Sequence, residues 1–262
     1  MVRDSISYTL YPIPYTLYPK IMESVSRQLS ENSVGRMFDR IAPVYDRLNH
    51  ILSFGMDFFW RSKLAGLVDK NRQLRVLDLA TGTGDLLIAL LRENPDIIEA
   101  VGLDISENML AVCRRKIARY NMAGRVNLVC DDINSNSLSD NTFDIVTMGF
   151  GIRNTPDILK TLTESLRCLK QGGTALILEF SMPSNRILKL FYLFYLRCYI
   201  PFIGRLVSGD KDAYRYLNTS IEKFCDMEDF TSMMQKAGFQ NIVAIPLTFG
   251  VACIYKGSKI HS

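Results

Sequence analysis

The sequence predicts an α/β fold in which helices cover both faces of a mostly parallel, seven-stranded sheet. Three observations predict it. Short apolar segments alternate with amphipathic helical segments from residue 75 onward, the first apolar segment ends in a glycine-rich loop, and aspartates end the next two. Because open α/β sheets bind ligands at the carboxyl ends of their strands, these loops predict a binding edge.

The apolar segments have the length of strands and are separated by turns or helical segments. The predicted strands span residues 75–79, 99–104, 126–130, 143–150, 174–180, 241–246 and 251–256. The predicted connecting helices span residues 85–94, 106–120, 157–169 and 227–237. Ser106 is the expected N-cap of the second helix, and the pair Gly172-Gly173 is expected to end the third.

The chain has further parts on either side of this pattern. Residues 24–70 are predicted to be helical, and a helical lid is predicted as an insertion over about 183–223. Residues 1–21 repeat Tyr-Thr-Leu-Tyr-Pro and are predicted to be a disordered low-complexity tail. We therefore expect Met22 as a candidate translation start and residues 22–262 as one domain.

Composition narrows the class of protein. A net charge of +4 without runs of like charge argues against a nucleic-acid partner. The only histidines are His50 and His261, so no metal site is predicted. The six cysteines are scattered without a Cys-x-x-Cys pair, which predicts reduced thiols and a cytoplasmic location. No apolar stretch reaches the roughly 20 residues of a spanning helix, so we expect no membrane crossing.

The glycine-rich loop is the strongest local signal. Gly82, Thr83 and Gly84 follow the first strand, and the glycines let the backbone turn tightly and approach a ligand. A dinucleotide loop needs a third glycine, but Leu87 stands there, and Asp85 would repel a pyrophosphate. An acidic loop instead suits the sulfonium and amino group of S-adenosylmethionine.

Aspartates at the next strand ends fit the rest of such a cofactor. Asp104 is expected to accept hydrogen bonds from ribose hydroxyls, the alternative being a helix-capping role. Asp132, or its neighbour Asp131, is a candidate acceptor for the adenine amino group, and Ile133 is expected to pack near the ring. The alternative for this acidic pair is a solvated turn.

Several motifs resemble those of class I S-adenosylmethionine-dependent methyltransferases, which have a Rossmann-like fold. They are residues 77–85 (LDLATGTGD), 102–110 (GLDISENML) and 150–154 (FGIRN). Residues 33–257 are similar in particular to the UbiE/MenG family, which C-methylates quinol rings in ubiquinone and menaquinone synthesis. The chain departs from the family pattern at Leu48, Asp57, Cys168 and Gln171, where Met, His, Val and Pro are usual.

The resemblance implies S-adenosylmethionine as the cofactor and assigns its contacts. Carried over to this chain, they fall on Thr83, Asp104, the pair Asp132-Ile133 and Gly149. Many members have Ser at the position of Gly149, so its contact is expected to be through the backbone.

Arg153 and Asn154 are the candidate catalytic residues. A quinol carbon becomes nucleophilic when a ring hydroxyl with a pKa near 10 loses its proton. Arg153 is expected to stabilise the phenolate and Asn154 to orient the ring oxygen, the alternative being a structural turn before a proline. Asp210, Tyr214 and Arg215 are runner-up polar groups on the lid.

A prenylated quinol is the expected substrate, with demethylmenaquinol ahead of the ubiquinone-pathway benzoquinol. Residues 190–195 are the candidate prenyl channel or membrane-facing lid, the alternatives being core packing or a dimer interface. Peripheral membrane contact and a homodimer stay open. Methylation of another lipid or small molecule is the second hypothesis, and a non-catalytic scaffold is the third.

Overall fold

The computed structural model describes residues 31–70, 72–200 and 211–260. Within them, seven strands form one sheet in the order β3-β2-β1-β4-β5-β7-β6. The strands are β1 Leu74–Leu79, β2 Ile97–Asp104, β3 Val126–Cys130, β4 Phe143–Gly149, β5 Leu169–Phe180, β6 Gln240–Leu247 and β7 Ala252–Ser258. Strands β1 to β5 pair in parallel, whereas β7 is antiparallel to both β5 and β6. The predicted fold class is confirmed.

Helices precede the sheet, connect its strands and follow β5. They are α1 Glu31–Ile41, α2 Tyr45–Leu52, α3 Met56–Ala65, α4 Asp85–Glu93, α5 Glu107–Arg119, α6 Ile158–Cys168, α7 Arg186–Phe194, α8 Lys211–Lys223 and α9 Met227–Lys236. A π-helical turn, Tyr195–Tyr199, continues α7. The predicted N-cap of α5 is confirmed, because the Ser106 hydroxyl accepts a hydrogen bond of 3.1 Å from the Met109 N–H.

The sheet is buried on both faces. Val76 and Leu77 are adjacent in β1 and are both fully buried, but they belong to different clusters of core side chains. The first cluster includes side chains of α3, α4 and α5, and the second includes side chains of α6 and α9. Burial on both faces explains why the strands are continuous apolar runs rather than alternating ones.

The prediction that Gly172-Gly173 ends a helix is wrong. Helix α6 ends at Cys168, and β5 begins at once and includes both glycines. A Cβ on Gly173 would lie 2.8 Å from the Lys170 carbonyl oxygen of β5 itself and 3.0 Å from the Asp144 carbonyl oxygen of β4, so the backbone leaves no room for a side chain. Gly172 has a φ of 77°. These glycines therefore serve strand pairing and not a helix cap.

The N-terminal helices pack against the insertion that follows β5. Leu48 and Leu52 of α2 share a buried cluster with Tyr192, Leu196 and other residues of the insertion. Within the described ranges, no helix is both long and apolar enough to cross a bilayer. The predicted tail and Met22 lie outside the described residues.

Candidate functional site

The residues that the sequence assigned to the cofactor lie at the carboxyl ends of β1 to β4. We call them the cofactor edge: Gly82, Thr83, Gly84, Asp104, Asp132, Ile133 and Gly149. Gly82 and Gly84 have φ values of 57° and 83°, which favour glycine. A Cβ on Gly84 would lie 2.4 Å from the Cys113 Sγ of α5, so that helix packs directly on the loop.

Asp104 is the centre of this edge. Its carboxylate accepts hydrogen bonds from the backbone N–H groups of Gly82 at 2.8 Å and Ser106 at 2.9 Å. Burial raises the pKa of the Asp104 carboxyl, because a charge there loses its contact with water, while these donors oppose the shift. A carboxylate held by neutral donors retains lone pairs with which it can accept further hydroxyl groups.

The ends of β3 and β4 complete the edge. Asp132 is the N-cap of a turn at Ile133–Ser135 and accepts a hydrogen bond of 2.9 Å from the Asn134 N–H. Ile133 is buried beside it. Gly149 ends β4, and a Cβ there would lie 3.0 Å from the Leu86 Cδ2. A larger residue at position 149 would therefore require Leu86 to move.

Helices α1 and α2 are fastened to this edge by side chains that the sequence analysis did not single out. The Thr83 hydroxyl donates to Asp46 of α2, and the Ser106 hydroxyl donates to Asp39 of α1. Lys116 of α5 forms ion pairs with both Asp46 and Asp85. The N-terminal helices thus lie across the glycine loop. No sequence motif predicts these pairs, because each pair joins positions that are at least 31 residues apart in the chain.

A cavity of about 230 Å³ adjoins the edge, between α2, α3, α7 and the loops after β4 and β5. We call it the aromatic pocket, after the rings that line it: Tyr45, Phe54, Trp60, Phe150, Phe180, Tyr192 and Tyr195. Phe150 directly follows Gly149 and has a φ of 59°, a conformation that bulky residues rarely adopt. The two regions therefore meet at one strand end.

Two arginines line the aromatic pocket: Arg61, which pairs with Asp57, and Arg153, whose side chain is buried against Glu179. The Arg153 Nη1 donates to the Glu179 Oε1 and to the Phe150 carbonyl oxygen, each at 2.6 Å. Its guanidinium lies 5.1 Å from the centre of the Phe180 ring. Burial raises the pKa of Glu179, and the charge of Arg153 opposes the shift. The guanidinium is thus held rigidly at the pocket wall.

Comparison with known proteins fits this geometry. Residues 26–259 match the model of the ubiE/COQ5 methyltransferase family. The chain belongs to that family. It is 44% identical over 223 residues to the ubiquinone/menaquinone biosynthesis C-methyltransferase UbiE of Geobacter sulfurreducens, covering 85% of this chain and 87% of that protein. It is 39% identical to the demethylmenaquinone methyltransferase of Bacteroides fragilis, covering 86% and 92%.

Solved structures agree on the fold. A possible histamine N-methyltransferase of Thermotoga maritima matches with a TM-score of 0.59 at 19% identity, over 86% of this chain and 99% of that one. The [4+2]-cyclase SpnF matches with a TM-score of 0.64 at 18% identity, over 88% and 97%. Such distant likenesses show the Rossmann-like methyltransferase fold alone. As a member of the family, the protein is a methyltransferase whose methyl donor is S-adenosylmethionine.

The cofactor edge fits that donor. Carboxylates of Asp39, Asp46, Asp85 and Asp104 gather around the loop, where they would repel a pyrophosphate and tolerate a cation. The charge of Asp85 is partly balanced, because Lys116 pairs with its carboxylate and the Arg61 Nη2 lies 3.8 Å from it. The acidity of the loop thus comes from several segments.

His50, Asp57 and Asp85 form a group with the spacing of metal ligands, their ligand atoms lying within 4.8 Å of one another. The group is already charge-balanced, since Arg61 pairs with Asp57 and Lys116 with Asp85. Cations so close would repel a metal ion. We interpret the group as an ion-pair network between α2, α3 and the glycine loop.

Two sequence predictions for the pocket fare differently. Arg153 lines it, but Asn154 does not. The Asn154 amide donates to the Phe150 carbonyl at 3.3 Å, and its oxygen accepts from the Tyr216 hydroxyl of α8 at 3.0 Å. Asp210 and the side chains of Tyr214 and Arg215 lie outside the described residues.

The sequence analysis missed two residues: Tyr45, which lines the pocket, and Glu179, which does not line it but pairs with Arg153. Burial raises the pKa of Tyr45, and Arg153 opposes the shift most strongly among its neighbours. The tyrosine therefore stays protonated and can donate a hydrogen bond. Glu179 ends a predicted strand, and only its complete burial identifies it as the partner of a cation.

Proposed function

We propose that this protein transfers a methyl group from S-adenosylmethionine to a ring carbon of a prenylated quinol. We expect demethylmenaquinol as the main substrate and the ubiquinone-pathway benzoquinol as a second one. One observation carries the proposal: the Arg153 guanidinium is fixed in the wall of an aromatic cavity beside the cofactor edge. The names of the relatives, which include quinone-biosynthesis C-methyltransferases, support the ring as substrate.

The chemistry follows from that cation. Bound S-adenosylmethionine supplies an electrophilic methyl group. A quinol carbon attacks it best when a neighbouring hydroxyl has lost its proton, and a positive charge beside that oxygen favours the phenolate. We propose that Arg153 provides this charge and that the rings exclude water, which strengthens the interaction. S-adenosylhomocysteine is the leaving group, and the methylated ring carbon then loses its proton to solvent, which restores aromaticity.

We propose a positioning role for Asn154 and a binding role for Tyr45. Asn154 and Arg153 both donate to the Phe150 carbonyl, so the amide helps to hold the turn that carries the cation. Tyr45 of α2 lines the same pocket, with Asn49 as its hydrogen-bond partner. Its protonated hydroxyl is suited to bind the second ring oxygen.

We assign the methyl donor to the cofactor edge. Asp104 would accept hydrogen bonds from the ribose hydroxyls, and Asp132 with Ile133 would bind the adenine. Gly82, Thr83 and Gly84 would let the loop backbone approach the amino-acid part, and Gly149 would contribute its backbone. The neutral donors around Asp104 and the positive φ values of the glycines support this assignment.

The direct test is methyl transfer by the purified full chain. Reduced demethylmenaquinol and the benzoquinol are each incubated with S-adenosylmethionine carrying a labelled methyl group, and products are identified by mass spectrometry. We expect a labelled ring carbon from the reduced substrates and none from the oxidised quinones, because only the quinol ring is nucleophilic. Label on oxygen, or on no quinol at all, would refute the proposal.

The role of Arg153 has a separate test in the pH profile. Replacing it with Ala should lower kcat about 100-fold at neutral pH, the usual cost of losing such charge stabilisation. The rising limb of the pH profile should also move to higher pH, because the ring hydroxyl then ionises less readily. Arg153→Lys should restore part of the rate. Arg92 is an exposed arginine of α4, and Arg92→Ala should change neither kcat nor the position of the rising limb. An unshifted limb would exclude phenolate stabilisation.

A further inference from the structure

Helix α7 presents an apolar stripe to solvent. Its members are Ile187, Leu190, Phe191 and Phe194, whose exposed fractions are 67%, 70%, 68% and 67%. Their spacing of three and four residues places them on one side of the helix. Large apolar side chains exposed together mark an interaction site more often than an ordinary surface.

The opposite side of the same segment faces the aromatic pocket. Tyr192, Tyr195 and Leu196 line the cavity, and Tyr192 and Leu196 are buried. One layer of helix therefore separates the proposed substrate site from the apolar stripe. If a ring bound in the pocket carries a long apolar tail, that tail needs to pass only this helix, or its edge, to reach the apolar stripe.

Two loops that border the pocket also expose aromatic rings. Phe54 lines the cavity, is 69% exposed and stacks on Tyr199 with ring centres 5.5 Å apart. Phe249 is 83% exposed and follows Thr248, another pocket residue. It has a φ of 58°, a strained conformation for a bulky residue. Its neighbour Thr248 accepts a hydrogen bond of 2.8 Å from the Trp60 indole N–H.

The charged residues beside the stripe indicate an anionic partner. Arg186 and Lys189 are exposed on α7, and the sequence of this helix, RILKLFYLF, contains no acid. Anionic lipid headgroups attract such residues, while apolar side chains beside them enter the acyl boundary. A symmetric contact with a second copy would instead bring the two sets of bases towards each other.

We propose that the stripe of α7, together with Phe54 and Phe249, docks on the surface of an anionic lipid bilayer. The inference rests on the proposed function, because a prenylated quinol resides in the bilayer and its tail must reach the pocket past this layer. Docking would place the pocket against the membrane and spare the tail a passage through water, which is unfavourable for every methylene group.

The experiment is co-sedimentation of the full chain with vesicles of phosphatidylglycerol and phosphatidylethanolamine. Leu190→Ser/Phe191→Ser should weaken vesicle binding at least about tenfold, because two large apolar side chains lose their burial in lipid. The matched control is Ile98→Ser/Val243→Ser, which changes exposed apolar residues of β2 and β6. It should bind like the wild type. Equal loss in both variants, or no loss in either, would overturn the proposal.

Charge is tested in the same assay. Lys189→Glu should weaken binding about fivefold or more on anionic vesicles and little on phosphatidylcholine vesicles. Lys236→Glu, an exposed lysine of α9, should have no more than a small effect on either. Equal effects of the two substitutions would show general attraction and contradict a docking surface on α7.

Two readouts separate the possible failures. Light scattering tests whether the stripe is instead a dimer interface. If the wild type is a dimer that does not bind vesicles and the Leu190→Ser/Phe191→Ser variant is a monomer, the stripe is a dimer interface and the proposal fails. Methylation of a short-chain, water-soluble quinol should be unchanged in this variant, while methylation of vesicle-embedded long-chain quinol should fall. Loss of both would mean a damaged pocket. If no quinol is methylated by the wild type, the proposed function fails, and vesicle binding still reports on docking.

Discussion

The cofactor edge and the aromatic pocket adjoin at Gly149 and Phe150, yet they are built in different ways. The edge consists of short loops at neighbouring strand ends, where the Gly82 N–H donates a hydrogen bond of 2.8 Å to the Asp104 carboxylate. The pocket takes rings from distant segments and includes Arg153 in its wall, where the guanidinium pairs with Glu179. The edge relies on backbone conformation, and the pocket relies on side-chain packing.

This difference separates what a fold supplies from what a particular enzyme adds. A parallel sheet brings its strand ends together in any sequence that forms it, so a cofactor site can be encoded in a few local residues. The pocket exists only when α2, α3 and the insertion after β5 have packed on that edge. Substitutions in the two regions should therefore fail in distinguishable ways.

The largest effect is expected in the pocket, from Glu179→Gln. Its carboxylate accepts from the Arg153 guanidinium and from the Phe180 N–H, and an amide would turn a donor towards donors. It would also leave a buried cation without its counterion, which costs about 3–5 kcal/mol of unfolding free energy. Urea denaturation measures this loss of unfolding free energy. Glu99→Gln, which removes an exposed ion pair with Arg75, should cost less than about 1 kcal/mol; similar losses would show that burial is not decisive.

The next effect tests the backbone of the cofactor edge. Gly84→Ala should lower the unfolding free energy by about 2–4 kcal/mol and weaken S-adenosylmethionine binding in calorimetry, because the new Cβ would clash with the Cys113 Sγ and φ is positive. Adding Cys113→Ala removes that atom and should recover part of the loss. Gly124→Ala, where nothing lies within 4 Å, should be neutral. No recovery in the double variant would assign the loss to backbone strain alone.

The third prediction concerns the pH dependence of stability that arises from Asp78, a buried residue of β1 close to the glycine loop. Burial raises the pKa of Asp78 to about 6, with hydrogen bonds from Thr147 and Thr81 opposing the shift. Between pH 4 and pH 6 the folded protein should therefore hold a proton that the unfolded chain has released. The contribution of Asp78 to the free energy of unfolding is therefore greatest below the pKa that it has in the unfolded chain. It is lost, by on the order of 1–3 kcal/mol, as the pH rises through the pKa that it has in the folded protein.

Asp78→Asn isolates this contribution. The amide is isosteric and does not titrate, so the difference between wild type and variant should change across this window and be flat above it. Urea midpoints at pH 4.5, 5.5 and 7 measure it. A difference that is independent of pH would show that Asp78 ionises normally.

The smallest effect concerns one polar contact in the pocket wall. Thr248→Val removes the acceptor of the buried Trp60 indole N–H and should cost about 1–2 kcal/mol. Thr248→Ser keeps the hydroxyl and should retain most of the stability, as thermal denaturation can show. If the serine variant loses as much as the valine variant, the methyl group and not the hydrogen bond matters.

The strands, their order of appearance and the polar strand ends could be predicted because each depends on neighbours in sequence. Asp104 was found from its place after an apolar run, and Ser106 from its place before a helix. The prediction for Gly172-Gly173 was wrong, because glycine also permits a positive φ, as at Gly172, and tight backbone packing within a sheet, as at Gly173, and only the folded sheet distinguishes these uses from a helix cap. Asn154 was assigned a ring contact, but packing turned it towards Tyr216.

The sequence by itself determined the α/β fold, the glycine loop and the acidic strand ends, since periodicity and turn chemistry are local properties. Only the tertiary structure decided the environment of each charge. It paired Arg153 with Glu179 and Asp85 with Lys116, and it placed Tyr45 in the pocket wall. The physical reason is that burial and Coulomb interactions depend on distances between segments far apart in the chain.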